Sequence, residues 1–106
     1  MKYLLPYFKA LCDENRLEII KLLLEKEHCI CELIEILGLS QATVSYHVKI
    51  LHNTGLVKLR YIGKSTYCSI DKEGFEQYAD YINERLFTTV AKSQPKEIDL
   101  DNIMCK

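Results

Sequence analysis

Two thiols stand one residue apart in "HCICEL", at Cys29 and Cys31, and no other pair in the chain is so placed for chemistry. Thiolates select soft ions such as Cd(II), Zn(II), Cu(I) and trivalent arsenic or antimony. In a regular helix residues i and i+2 project about 200° apart, so two helical cysteines could not share one ion. They can share it if Cys29 lies in a loop and Cys31 opens a helix, which is where the boundary falls. A helix N-terminus also favours the thiolate form. His28 could complete a Cd or Zn site, although a loop histidine beside cysteine is more often simply exposed. A disulfide within the pair is disfavoured, because it needs Cβ atoms at about 3.8 Å and the Cys-x-Cys ring is strained.

A second group of residues points to nucleic acid. Net charge is only −1, yet residues 41–70 carry Lys49, Lys58, Arg60 and Lys64 with no Asp or Glu, while all 15 acids lie outside that window. Such segregation is a local basic face. At about 100° per residue, Val44, Val48 and Leu51 share one side of a helix over 41–52. Ala42, Ser45, Tyr46 and Lys49 share the other, with Gln41 in the exposed first turn. Amide and hydroxyl groups suit base edges and lysine suits phosphate, and a solvated helix face would normally mix in carboxylates. The expected DNA-contacting set is Gln41, Thr43, Ser45, Tyr46, Lys49, Arg60 and Lys64. His47, near the core boundary, reads as a structural histidine, His52 as a helix-end residue and Lys58 as ordinary surface. Neither thiol is expected to face DNA.

The elements that must position these groups follow from periodicity and caps. An apolar helix is expected over 3–11, with Pro6 tolerable near its start. Asp13 caps a helix over 14–26 whose apolar face is Leu17, Ile20, Leu23 and Leu24. A short helix over 31–37 ends at Gly38, and Ser40 caps the 41–52 helix; helix, Gly-containing turn and capped helix make a helix-turn-helix. The period then drops to two in "LVKLRY" and "STYCSI", joined by Gly63-Lys64, which is a β-hairpin with a basic tip. A last helix spans 75–87. The order ααααββα is that of a mainly α, winged helix-turn-helix domain over 1–92, followed by a flexible tail over 93–106.

Length bounds the rest. A chain of 106 residues has room for one modest core. No apolar run approaches the roughly 20 residues of a membrane span, and the N-terminus lacks the pattern of an export signal. Five cysteines are therefore expected as reduced thiols in a cytoplasm. No nucleophile–base pair, phosphate loop or paired catalytic carboxylates is visible, so an enzyme is not expected. Tyr3, Leu4, Tyr7, Phe8 and Leu11 at one end, with Tyr78, Tyr81, Ile82 and Phe87 at the other, exceed what so small a core can cover and point to a homodimer.

The run Leu-Ser-Gln-x-x-Val-Ser-x-His-x-x-x-Leu, followed by Gly-Leu-Val and a basic wing, resembles the ArsR/SmtB family of metal-sensing repressors across roughly residues 5–85. The resemblance implies a homodimer joined through its first and last helices. It also implies double-stranded operator DNA held without inducer and released on inducer binding. Its DNA-reading positions fall on Gln41, Ser45 and Tyr46, with tyrosine where many relatives carry histidine. Arsenic and antimony sensors of the family carry Cys-x-Cys-x-x-Cys here, and Ile34 stands at the third place. A third donor would then come from Cys12, Cys105 or an external thiol, with Cys68 left to packing. The family's zinc-type site on the last helix uses histidine, and that helix has none. The expected inducer is As(III) or Sb(III), with Cd(II) or Zn(II) as competitors, and no obligatory cofactor. The alternative is a winged-helix regulator answering Cd/Zn, thiol oxidation or a protein partner, with no metalloid site.

Overall fold

The computed structural model describes residues 2–92; the expected tail over 93–106, with Cys105, lies outside the described residues. A 3-10 turn at Lys2–Leu4 leads into α1 (Leu5–Leu11), with Pro6 in the first turn, where a missing N–H costs least. Helix α2 (Glu14–Glu25) starts at Asp13, whose carboxylate accepts the Arg16 N–H at 3.1 Å. Its buried face is Ile19, Ile20 and Leu23, whereas Leu17 and Leu24 are 51% and 68% exposed. The expected apolar stripe is thus rotated, because α2 is pressed from three sides that periodicity does not reveal: α1, the recognition helix and the hairpin.

The helix-turn-helix is α3 (Ile30–Leu37) and α4 (Gln41–Asn53). Gly38 closes α3 in the left-handed conformation at φ 66°, and Ser40 caps α4 by accepting the Thr43 N–H at 3.1 Å. Strands β2 (Val57–Ile62) and β3 (Ser65–Ile70) form the hairpin, with Ile62 opposite Ser65 across Gly63-Lys64.

One element is additional to the expected order. His28–Cys29 is a two-residue strand, β1, pairing antiparallel with β3 so that His28 faces Cys68 and Cys29 faces Tyr67. The wing is therefore a three-stranded sheet in the order β1-β3-β2. Two residues carry no period, so only the partner strand makes them a strand.

Helix α5 (Lys72–Ile82) begins three residues earlier than expected, because Asp71 caps it by accepting the Gly74 N–H at 3.0 Å. It continues through a π-helical stretch, Asn83–Phe87, into α6 (Thr88–Lys92). Leu33, Val44, Val48, Leu51, Leu56 and Val57 centre the core against α2, and Cys68 closes it from the wing. Phe75 and Tyr78 pack on its edge, yet no residue of α5 is fully buried.

Candidate nucleic-acid interface and thiol site

Helix α4 presents the two faces that its spacing predicts. Val44, Val48 and Leu51 are buried, whereas Gln41, Ala42, Tyr46 and Lys49 are exposed and Ser45 is half-buried. The Thr43 hydroxyl is engaged locally, accepting a 2.8 Å hydrogen bond from Ser40 Oγ. His47 is buried and lies 3.0 Å from Arg16 Nη1 through its Nδ1. Arginine can only donate, so Nδ1 accepts and the imidazole proton sits on Nε2. Arg16 also donates to the carbonyls of Ala10 (2.6 Å) and Lys9 (3.3 Å), tying the end of α1 to α4. His47 is thus structural. His52, at the other end of α4, meets the Val57 carbonyl at 3.0 Å.

The wing separates two cations that sequence treats alike. Lys64 stands exposed at the hairpin tip. Arg60 instead pairs with Glu27, 33 residues away, and lies over the Tyr67 ring at 5.2 Å from its centroid. The Glu27 carboxylate holds the Arg60 guanidinium still more firmly protonated. The basic face is acid-free in sequence but not in space, because the loop before β1 brings Glu27 to β2.

Cys29 is not a loop residue. It ends β1 and caps α3: its Sγ accepts the Glu32 N–H at 3.3 Å, while Glu32 Oε1 accepts the Cys29 N–H at 3.0 Å. This is a capping box with sulfur in place of a hydroxyl, and glutamate three residues after the cap was its legible sign. The backbone hydrogen bond from Cys29, more than the neighbouring His28, holds the Glu32 carboxyl below the usual range. Cys29 is extended at φ −78°, ψ 160°, while Cys31 lies in the first helical turn. That change of direction brings both side chains to one side with Cα atoms 5.3 Å apart, and the sulfurs are joined as a disulfide. The expectation that ring geometry disfavours this link is corrected: the separation is ordinary for a disulfide once the strand–helix boundary falls between the two residues.

The same strand removes His28 from the thiols and corrects its expected exposure. Successive strand residues face opposite sides of the sheet, so His28 shares a side with Cys68 rather than Cys29. His28 is buried, with Nδ1 3.4 Å from Glu32 Oε2 and Nε2 lacking a hydrogen-bond partner. Cys68 is fully buried, and burial, aided by the Glu27 charge, pushes its thiol up to about 11. Cys12 is exposed, and among the described residues no three His, Cys, Asp or Glu side chains gather as a metal cluster. The described residues therefore bring two sulfurs together here, with no third such side chain gathered beside them. They do leave space: a cleft of about 300 Å³ opens over Cys29 and Cys31, and its other walls include Gln41, Ser45, Lys64 and Thr66.

Residues 13–58 match the family described as "Bacterial regulatory protein, arsR family". The arsenical resistance operon repressor of Staphylococcus xylosus is 39% identical over 85 residues, covering 80% of this chain and 78% of that protein. The chain belongs to the ArsR family. The cadmium resistance transcriptional regulatory protein CadC homolog of Staphylococcus aureus is 42% identical over 74 residues, or 69% of this chain. The chain covers only 61% of the length of that relative. HlyU from Vibrio cholerae superposes with a TM-score of 0.64 at 28% identity, over 77% of this chain and 90% of that one. The two sequence relatives are named as a repressor and a transcriptional regulatory protein rather than as enzymes, and this ArsR-family chain shares its winged helix-turn-helix architecture with HlyU. Among the described residues no helix is long and apolar enough to cross a membrane.

Proposed function

We propose that the protein is a dimeric, cytoplasmic transcriptional repressor that binds operator DNA through α4 and the wing and leaves it when a thiophilic ion binds Cys29 and Cys31. The observation carrying this reading is the thiol pair on the N-cap and first turn of α3, the first helix of the helix-turn-helix. Gln41, Ser45 and Tyr46 read base edges, and Lys49 and Lys64 meet phosphates. Thr43 acts through the Ser40 cap, and Arg60 orders the sheet through Glu27.

The reduced thiols fit a soft ion, because both sulfurs reach one side of the strand–helix boundary and a helix N-terminus favours the thiolate. Relatives named for arsenical and for cadmium resistance both support a metal inducer. Two sulfurs favour As(III) or Sb(III), with the third position filled by Cys12, Cys105 or an external thiol, over Cd(II) or Zn(II), which take a fourth donor. Titrating arsenite, antimonite, cadmium and zinc against the reduced protein on its own upstream DNA tests this. Arsenite or antimonite is expected to release wild type and to leave Cys29→Ser and Cys31→Ser bound. Equal release of the Cys29→Ser, Cys31→Ser double variant would remove the site.

A second reading is favoured by the disulfide itself: loss of two protons and two electrons from the thiol pair to a peroxide or external disulfide would gate the same helix. An operator affinity that differs between oxidised and reduced protein without any metal would select it.

A further inference from the structure

The cleft over the thiols is walled by residues of all three parts of the DNA-binding apparatus. Cys29 and Cys31 come from the start of α3, Gln41 and Ser45 from the first turns of α4, and Lys64 and Thr66 from the wing. No carboxylate lines it, while an ammonium, an amide and hydroxyls do. A second hollow of about 320 Å³ shares Ser45 and Thr66 with it and continues between α4 and the wing to Lys49 and Tyr61. The two form one groove between recognition helix and wing, the path a DNA strand follows when a helix lies in the major groove and a hairpin reaches the backbone beside it. Lysine, amide and hydroxyl donors without a carboxylate are the chemistry of a phosphodiester contact.

We propose that this cleft seats a backbone phosphate of bound DNA beside the exposed Cys31 on its wall, against the expectation that neither thiol faces DNA, so that DNA and a ligand held by the thiols exclude each other from one space. The proposal rests on the reading of the chain as a DNA-binding protein with a thiol-held inducer, and it specifies how the two are linked. Coupling by a change of shape alone would let DNA and inducer bind together with affinity weakened by a finite factor, typically about 5- to 150-fold. A shared seat allows no joint complex.

Two measurements on the reduced, full-length chain decide. In the first, no metal is present: N-ethylmaleimide modifies the protein with and without duplex DNA, and mass spectrometry follows each cysteine. With duplex at about ten times its Kd, Cys31 modification is expected to slow about tenfold. Exposed Cys12, away from the cleft, should react at its free rate. A random-sequence duplex at low salt should protect Cys31 as operator does, because the phosphate rather than the base fills the seat. An unchanged Cys31 rate in the DNA complex would overturn the proposal. In the second, operator Kd is measured by fluorescence anisotropy against free cadmium and free arsenite. A Kd that rises in proportion to the ion without levelling supports exclusion, and a plateau shows a joint complex and overturns it. Protection of Cys31 with no effect of either ion would leave the phosphate seat standing and instead remove the thiophile reading.

Discussion

Arg16 shows how much one side chain joins here. Its guanidinium meets His47 Nδ1 and two carbonyls at the end of α1, while its backbone N–H serves the Asp13 cap. Arg16→Met takes the guanidinium donor from His47 Nδ1 and the Ala10 carbonyl, while the Lys9 carbonyl keeps the Cys12 N–H, and unfolding in urea is expected to show a loss of about 1–3 kcal/mol. The Asp13 carboxyl is held below its ordinary range, chiefly by the Arg16 N–H. A group more acidic in the folded state stabilises fully above its unfolded pKa and loses that stabilisation as pH falls through the folded value. Wild type should therefore lose stability below the usual carboxylate range. Asp13→Asn, which keeps an N-cap acceptor, should lose less over that interval; parallel urea midpoints across the acid range would refute this. On α4, Tyr46 is 55% exposed. Tyr46→Ala is expected to cost about 1–3 kcal/mol of operator binding with little change for random duplex. Lys64→Ala should weaken both alike and flatten the salt slope, as loss of one phosphate contact does. Gel shifts across a salt series with both duplexes separate the two.

At the scale of elements, the sharpest constraint is where α5 crosses the turn after α4. A Cβ on Gly74 would lie 1.7 Å from the Gly55 carbonyl oxygen, a backbone atom that no side-chain motion can clear. Gly74→Ala is expected to lift the start of α5 and cost about 1–3 kcal/mol or more, as overpacking does. Thermal unfolding reads this directly, and a wild-type midpoint would show that α5 docks elsewhere. Caps and turns were legible from single residues: Asp13, Ser40 and Gly38 act where the sequence places them. The start of α5 was not, since its cap at Asp71 precedes the apolar period that marks the helix. Nor was β1, whose existence depends on β3 hydrogen-bonding to it.

For the whole molecule, the terminal aromatics partly answer one another within the chain. Tyr7 stacks on Tyr78 at 4.8 Å between centroids, and Tyr3 meets Tyr81 edge-on at 5.3 Å. They still leave Tyr3, Leu5, Phe8 and Phe87 exposed along the first and last helices, the surface through which we propose that two copies pair. Because Phe75 and Tyr78 also pack on the core, removing α5 would unsettle the fold as well as the pairing. Phe8→Asp and Phe87→Asp are the cleaner variants. Each is expected to keep the helical circular dichroism, sediment as a monomer and bind operator as a single half-site. Sedimentation as wild type would place the interface on another surface.

What the amino-acid sequence determined by itself is local: the caps, the helix-turn-helix, the change of period at the hairpin and the two-faced recognition helix. Each rests on residues within a turn or two of one another. Tertiary structure decided whatever depends on groups far apart in the chain. It turned α2 onto Ile19, Ile20 and Leu23, drew Arg60 to Glu27, and set His28 on the opposite side of the sheet from Cys29. It also brought Cys31 into one cleft with Ser45 and Lys64. Burial, ion pairing and shared clefts are relations between surfaces, and no spacing along a chain specifies which surfaces meet.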